Sequence, residues 1–296
     1  MTQKVQFVSV IGIISCLVIA IVYGFSAPTS FPQAKRFEVQ EGESVHMISV
    51  HLEEDNIIGS ALLFRAWVSL LGKDTSIGLG VYTFDKVVPL PGVIAKLISG
   101  PDEPLLSVTI PEGYTTKEIA DAFAKALPSF SVDTFGEIVQ RDNLDGYLFP
   151  STYYPLPSST EEDIARMMHE TFEKEYMKQF ASSSYPLYVP SKQAVISLAA
   201  ILEGEAKTQE DMKIVSGILQ KRLEKGMRLQ VDVAEVTYKE TGIPDQPINN
   251  PGVVAIDAVF DPIRTKYLYY ITGNDGYMHY ASTFEEHKRN IQKYLK

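Results

Sequence analysis

Residues 194–207 read AVISLAAILEGEAK, and this stretch decides the expected fold of the C-terminal half. Its first nine residues are almost all apolar, which predicts a helix that is buried on most of its sides. Thr208-x-x-Asp211 follows and predicts the capped start of a second helix. We therefore expect a helical hairpin, whose connecting segment carries two carboxylates, Glu203 and Glu205.

Two acids at the end of a buried helix cost stability, because the helix macrodipole is negative at that end. Charged residues at element ends are more often only solvated, so the pattern alone leaves a purely structural role open. If the backbone stays helical, positions i and i+2 point about 200° apart, so only one of Glu203 and Glu205 can face a given cleft. We expect that one to act as general acid and base, with its pKa raised by neighbours such as Leu202 and Ala206.

A single essential carboxyl group restricts the possible chemistry. Retaining and inverting glycosidases need two carboxylates across the bond that they cut, whereas a lytic transglycosylase uses one. In the lytic reaction the acid protonates the glycosidic oxygen and then removes a proton from the C6 hydroxyl of the muramic residue, which gives a 1,6-anhydro sugar. A hydrolytic muramidase is an alternative, with Asp232 as the second carboxylate.

The N-terminal run from Phe7 to Phe25 is FVSVIGIISCLVIAIVYGF, 19 residues without a charge. About 20 apolar residues span a bilayer as a helix, so we predict a transmembrane helix at 7–25 after a cytoplasmic tail at 1–6. A cleaved signal peptide fits less well, because its apolar core is roughly 7 to 15 residues long. Residues 26–36 then form a linker, and the remaining chain is expected on the outer side of the membrane.

An internal repeat shapes the expected domain organisation. Residues 39–48 and 110–119 each contain a short strand, a Glu-Gly turn and a Ser or Thr that caps an amphipathic helix. Each copy resembles a strand-turn-helix unit of LysM type, a small fold associated with glycan binding, although the same order recurs in many α/β folds. We expect an α+β protein with a LysM-like module at 37–100 and a mixed α/β catalytic domain at 101–296.

Composition argues against several other functions. The net charge is −10 and the pI is about 5.1, with no block of Lys and Arg that could follow a phosphate backbone, so nucleic acid is not an expected partner. The five histidines have no metal-binding spacing, and no glycine-rich phosphate loop follows a strand. We therefore predict neither a metal nor a cofactor. The one cysteine, Cys16, cannot form an intrachain disulfide.

Five motifs occur in order along the chain. They are LDGYLFPSTY at 144–153, SLAAILEGE at 197–205, KRLEKGMRLQVD at 221–232, GIPDQPINNPG at 242–252 and HYASTFEEH at 279–287. Together they resemble the endolytic murein transglycosylase (YceG-like) family. The resemblance implies an inner-membrane enzyme with a lysozyme-like helical part in its catalytic domain. It would cut MurNAc-GlcNAc bonds in nascent peptidoglycan strands, beside the cell-wall synthases that make them.

The same resemblance assigns roles to individual residues. It implies that Glu205 is the catalytic residue, with Glu203 as the close alternative. It also implies that four polar residues line the sugar groove: Gln230, Asp232, Asn250 and His279. One departure is that the stretch Val233–Tyr238 is shorter than the family pattern. This departure leaves open a second class of function, a catalytically inactive, membrane-anchored scaffold that binds peptidoglycan.

Overall fold

The structure of the protein is a computed structural model that describes residues 25–32, 34–73, 76–183 and 189–295. The predicted transmembrane helix at 7–25 lies outside these residues, apart from Phe25 at its end. Within the described ranges, no helix is both long and apolar enough to cross a membrane. The described chain forms two compact units.

The first unit ends at Leu106 and also includes Tyr154–Pro157. Its elements are β1 (Lys35–Val39), α1 (Val45–Glu54), α2 (Ala61–Leu70), β2 (Gly80–Phe84), α3 (Leu90–Ser99) and β3 (Glu103–Pro104). β2 lies between β1 and β3 and is antiparallel to both. Because β3 pairs with β2, the unit continues beyond residue 100, where the sequence placed the domain boundary. Its assignment as LysM-like stays a prediction.

Local chemistry explains how the first unit is built. β1 is followed by a turn in which Gly42 has a φ of 81°, a conformation that favours glycine. Ser44 and Ser60 then cap α1 and α2 by accepting hydrogen bonds from backbone N–H groups in the first helical turn. The helices and the sheet share one apolar core, which includes Phe64 and Tyr82.

The second unit comprises Ser107–Tyr153 and the chain from Ser158 onward. Its elements are β4 (Val108–Thr109), α4 (Thr116–Ala126), α5 (Val132–Arg141), β5 (Thr152–Tyr153), α6 (Glu161–Ser182), α7 (Lys192–Glu205), α8 (Gln209–Glu224), a 3₁₀ turn (Glu235–Tyr238), α9 (Val253–Phe260), β6 (Tyr269–Thr272), β7 (Met278–Ala281) and α10 (Phe284–Tyr294). β4 pairs with β5 and β6 pairs with β7, both antiparallel. The mixture of helices and short sheets confirms the predicted α+β class.

The helical hairpin of the second unit forms as the sequence indicates. The eight residues from Val195 to Leu202 in α7 are all buried, and they pack with α8 and α9 in one apolar core. Thr208 caps α8 by accepting from the N–H of Asp211. α7 continues through Glu205, so both acids belong to its last turn, and only residues 206–208 connect the two helices.

Candidate active site

The last turn of α7 directs its two carboxyl groups to different neighbours. Glu205 Oε1 accepts a hydrogen bond from the N–H of Val233 at 3.3 Å, and its Oε2 accepts one from the Tyr270 hydroxyl at 3.1 Å. Glu203 Oε2 accepts instead from the N–H of Gly252 at 2.9 Å. This separation follows from the helix, because residues two apart point to nearly opposite sides. The two acids therefore belong to two different environments.

Glu205 lies in surroundings that favour its protonated form. Burial raises the pKa of this carboxyl group, and the negative charge of Asp232 raises it further. The N–H groups of Val233 and Asp232 and the Tyr270 hydroxyl oppose this effect, since they stabilise the ionised form. A carboxyl group that holds its proton above the ordinary pH range of a glutamate can act as a general acid.

Glu203 is held at the start of α9. Burial raises its pKa, and the charge of Glu112 adds to this, whereas the hydrogen bond from Gly252 lowers it. A Cβ atom at position 252 would lie 2.0 Å from Glu112 Oε1, which shows that the Glu112 side chain packs directly against the backbone of Gly252. Negative groups are favoured at a helix N-terminus by the macrodipole. Glu203 thus joins the end of α7 to the start of α9.

Two tyrosine hydroxyls connect the β6–β7 hairpin to the helices α7 and α8. Tyr270 and Tyr280 are direct cross-strand partners, so their side chains lie on the same face of the hairpin. Tyr270 donates to Glu205 on α7, and Tyr280 donates to Asp211 Oδ1 on α8. Burial raises the pKa of Tyr270 well above its ordinary value, so the hydroxyl remains a donor. The hairpin therefore sets the position of the Glu205 carboxyl group.

Arg222 supports this arrangement from α8. It is only 5% exposed, and its Nε donates to the backbone oxygen of Leu268 at 2.8 Å while its Nη1 donates to that of Leu229. Its guanidinium group also lies over the ring of Tyr269, 5.5 Å from the centroid. The side chain thus links α8 to the start of β6 and to the segment that follows Leu229.

Gln230 and Asp232 lie on that segment and are both exposed. Gln230 has a φ of 51°, a left-handed conformation that residues other than glycine rarely adopt, and its N–H donates to Thr237 O at 3.2 Å. Asp232 accepts a hydrogen bond from the Tyr238 hydroxyl, which raises the pKa of that tyrosine to about 12. Both predicted groove residues therefore present polar groups to solvent near Val233, which contacts Glu205.

Asn250 is built into the protein interior. It is 1% exposed, its Oδ1 accepts from the N–H of Leu148 at 2.9 Å, and its Nδ2 donates to Tyr114 O at 3.0 Å. Its backbone N–H also donates to Tyr114 O, and its backbone oxygen accepts from Gly113. Because all these groups are used, Asn250 holds three loops together and has no exposed side chain to offer a sugar.

His279 lies on the other face of the β6–β7 hairpin. Its cross-strand partner is Ile271, one residue beyond Tyr270, and successive side chains in a strand point to opposite faces. Its Nε2 contacts Asp275 Oδ2 at 3.0 Å, and its ring stacks on Tyr294 of α10 at 3.4 Å. The structure therefore does not bring His279 into the surroundings of Glu205.

Comparison with known proteins places the chain in a family. The model of the YceG-like family matches residues 37–235 and 236–293. The chain belongs to the YceG-like family. A YceG-like protein from Listeria monocytogenes has a solved structure that shares the fold, with a TM-score of 0.53, 24% identity, and coverage of 87% of this chain and 98% of that chain.

Curated relatives of this YceG-like chain carry an enzyme name. The endolytic murein transglycosylase of Bacillus subtilis is 26% identical over 305 residues, which cover 87% of this chain and 84% of the relative. That of Streptococcus pneumoniae is 24% identical over 324 residues, which cover 87% of this chain and 58% of the longer relative.

The structure of this chain also contains candidate site residues that the sequence did not single out. Tyr270 and Arg222 are in this group, and the sequence around Tyr270, YLYYI at 267–271, is typical of a packed strand. The alternation of that strand was the available signal, since it predicts that every second side chain faces the helices. Nothing in the sequence pairs Tyr270 with Glu205, because 65 positions separate them.

Other parts of the described chain offer less for catalysis. A cavity of about 460 Å³ is lined by Pro190, Ser191, Gln193, Ala194, Leu223 and residues 242–245. Neither Glu203 nor Glu205 lines it, so the cavity is not where an acid of α7 would act. Among the described residues, no group of three or more His, Cys, Asp or Glu side chains could hold a metal ion.

Proposed function

We propose that this chain is an endolytic lytic transglycosylase that cuts glycan strands of peptidoglycan, with Glu205 as both acid and base. The observation that carries the proposal is the half-buried Glu205 carboxyl group, held by Val233 and Tyr270 and kept at a raised pKa. The names of the relatives from Bacillus subtilis and Streptococcus pneumoniae support the substrate class. Among glycan-cutting enzymes, one acid of this kind suits the lytic reaction.

The proposed reaction proceeds in two proton transfers. Protonated Glu205 donates its proton to the glycosidic oxygen, and the bond from that oxygen to C1 of MurNAc breaks, so that GlcNAc leaves with a free hydroxyl. The Glu205 carboxylate then takes the proton of the MurNAc C6 hydroxyl while O6 bonds to C1. The product is a 1,6-anhydroMurNAc end. No water is consumed, and Glu205 ends the cycle protonated.

The neighbours of Glu205 suit both halves of this cycle. Burial favours the protonated group before the first transfer, and the Val233 and Tyr270 donors stabilise the carboxylate that the first transfer leaves. The positive charge of Arg222 acts in the same direction as these donors, because opposite charges favour the ionised form. We infer that Tyr270 and Arg222 are positioning residues for Glu205.

The remaining predicted residues take different parts in the proposal. Gln230 and Asp232 would contact the sugar from the exposed segment beside Val233. Asn250 would act only by holding the loops around the site, since its polar groups are already bonded. Glu203 stays the alternative acid, because burial raises its pKa as well.

A hydrolytic muramidase is the second candidate function. It is favoured by one observation, that Asp232 lies near enough to Glu205 for its charge to raise the pKa of that group. A hydrolase needs a second carboxylate to act on water or on the sugar. However, Asp232 already accepts a hydrogen bond from Tyr238, which makes it the weaker choice.

We further propose where the enzyme works. The uncharged run at 7–25 would anchor it in the inner membrane, with the catalytic unit on the outer side of that membrane, where peptidoglycan lies. There it would meet new glycan strands beside the cell-wall synthases. The length of the apolar run is the support for this part of the proposal.

The experiment is mass spectrometry of purified peptidoglycan after digestion by the detergent-solubilised full-length chain. Wild type, Glu205→Gln and Glu203→Gln are compared, so that each acid is the matched control of the other. Internal fragments with 1,6-anhydro ends, lost only in Glu205→Gln, would support the proposal. Reducing ends would favour the muramidase instead. If folded wild type left the strands intact but bound them, the chain would be a scaffold.

A further inference from the structure

α2 has an exposed apolar face. Leu62 is 67% exposed and Leu70 is 85% exposed, and Leu71 just after the helix is 47% exposed. Ala66 and Ser69 are exposed between Leu62 and Leu70. These four residues have the spacing i, i+4, i+7 and i+8, which places their side chains on one side of the helix. Contiguous apolar surface of this kind marks a contact with a membrane or with another protein.

The exposed face carries no charge. Arg65 is the one charged residue of α2, and its Nη1 donates to Ser49 Oγ on α1 at 3.1 Å. The guanidinium group therefore turns toward the unit and away from the apolar face. A surface formed by leucine, alanine and serine alone suits lipid tails better than water.

A ring contact indicates which partner covers this face. Phe25 is the last residue of the uncharged run at 7–25, and its ring packs edge-on against Trp67 of α2, with centroids 4.7 Å apart. The last residue of the apolar run is therefore in direct contact with α2. Tryptophan is also the residue that concentrates at the headgroup level of bilayers.

The charges nearby indicate an apolar rather than an electrostatic contact. Lys35 and Arg36 follow the linker, but Lys35 pairs with Asp55 at 2.9 Å and Arg36 pairs with Glu103 at 2.8 Å. The chain as a whole has a net charge of −10, and close to the apolar face Lys73, two residues after Leu71, adds a single exposed base for acidic headgroups. Contact with lipid would therefore depend on burial of the leucines.

We propose that α2 lies on the lipid surface of the membrane, with Leu62 and Leu70 in the boundary between headgroups and acyl chains. This inference rests on the proposed anchoring by residues 7–25, and it does not depend on which acid cuts glycan. The contact would hold the first unit against the bilayer at the point where the chain leaves it.

The test uses Trp67, which is the one tryptophan in the sequence and so reports on α2 alone. The full-length protein is reconstituted into phosphatidylcholine vesicles with and without bromine atoms near the headgroup end of the acyl chains. We expect brominated lipid to remove most of the Trp67 emission. We also expect added salt to leave this loss unchanged, and a loss that disappears in high salt would overturn the apolar contact.

Two variants make the result specific. Leu62→Asp combined with Leu70→Asp should restore most of the emission, and because both leucines are exposed the unit should stay folded by circular dichroism. Met177→Asp, at a 53% exposed position of α6 in the second unit, adds a charge elsewhere and should be quenched like wild type.

Three further outcomes would overturn the inference. One is wild type whose Trp67 emission is not quenched by brominated lipid. If Trp67 were then also shielded from aqueous acrylamide, the face would be covered by a second copy of the chain. Another is a double variant that is quenched as fully as wild type. The third is a chain that does not float with vesicles. Glycan cleavage by the same preparations, measured in detergent, tests the proposed function separately.

Discussion

Glu205 connects the chemistry of the site to the stability of the fold. Its pKa in the folded chain is raised above the value of about 4.3 that a glutamate has in an unfolded chain. Below about pH 4 Glu205 therefore does not lower the free energy of unfolding, because the group is protonated in both states. As the pH rises from there to the raised pKa, its ionisation lowers the free energy of unfolding progressively. Above that pKa this decrease is constant.

Replacement of Glu205 by Gln should separate activity from stability. We expect cleavage to fall at least about 100-fold, because the proton donor is lost. We also expect a higher Tm than wild type at pH 7, because the variant has no buried charge, and an equal Tm near pH 4. Thermal unfolding at the two pH values checks this. A variant that is less stable at pH 7 would contradict the raised pKa.

Tyr270→Phe should change the pH dependence of cleavage. The Tyr270 hydroxyl lowers the pKa of Glu205 by donating to its carboxylate, so its removal should move the descending limb of the pH–rate profile to higher pH. Loss of this hydrogen bond, worth about 1 kcal/mol, should cost roughly fivefold in rate at the optimum. The matched control is Tyr280→Phe, which removes the bond to Asp211 on α8 and should leave the profile in place. Equal shifts in both variants would indicate a merely structural effect.

Elements of the second unit meet at a close backbone contact. A Cβ atom on Gly217 of α8 would lie 2.0 Å from the backbone oxygen of Ile263, so Gly217→Ala should force the segment before β6 away from the helix. We expect a loss of about 2 kcal/mol or more in the free energy of unfolding, as for other overpacked sites. Gly136→Ala on α5 is the matched control, because nothing lies within 4 Å, and it should stabilise by roughly 0.5–1 kcal/mol. Urea denaturation measures both, and a neutral Gly217→Ala would contradict this packing.

The loops around the site depend on Asn250. Asn250→Ala would leave the N–H of Leu148 and the oxygen of Tyr114 without their side-chain partner, and Leu148 is itself buried. We expect a decrease of about 1–3 kcal/mol in unfolding free energy. Chemical denaturation checks the value. If stability were unchanged while sugar binding was lost, Asn250 would be a groove residue, as the motif alone suggests.

The elements could largely be predicted because their signals are local. The apolar run of α7 and the Thr208 cap of α8 each lie within a few residues, and both are present as expected. Asn250 and His279 show the limit of a motif match, which identifies a polar residue but does not tell whether its side chain faces a groove, a loop or another helix. The direction of His279 is fixed by strand pairing, which the sequence does not give.

The site could be predicted only in part, for a reason that belongs to the whole molecule. Glu205 could be predicted as a candidate acid because it stands at the end of an apolar helix. Its two partners are 28 and 65 positions away, and only the packing of the complete unit brings Val233 and Tyr270 to it. The raised pKa is thus a property of the assembled unit.

The proposed anchoring is also tested on the whole molecule. A chain that lacks residues 1–24 should appear in the soluble fraction, whereas the full-length chain should sediment with membranes, because about 20 apolar residues suffice to hold a protein in a bilayer. Cell fractionation followed by immunoblotting measures this. The shortened chain should still cut purified glycan. If it stayed in the membrane fraction after an alkaline carbonate wash, which removes peripheral contacts such as that proposed for α2, residues 7–25 would not be the anchor.

The long separations around Glu205 have a consequence for biosynthesis. Synthesis proceeds from the N-terminus at roughly 5–20 residues per second, so α7 is complete well before Tyr270 exists. Until β6 has docked, Glu205 lacks the hydrogen bond from Tyr270 that it has in the folded unit. If Glu205 is the catalytic acid, as proposed, the ability to cut glycan is therefore acquired only in the last steps of folding.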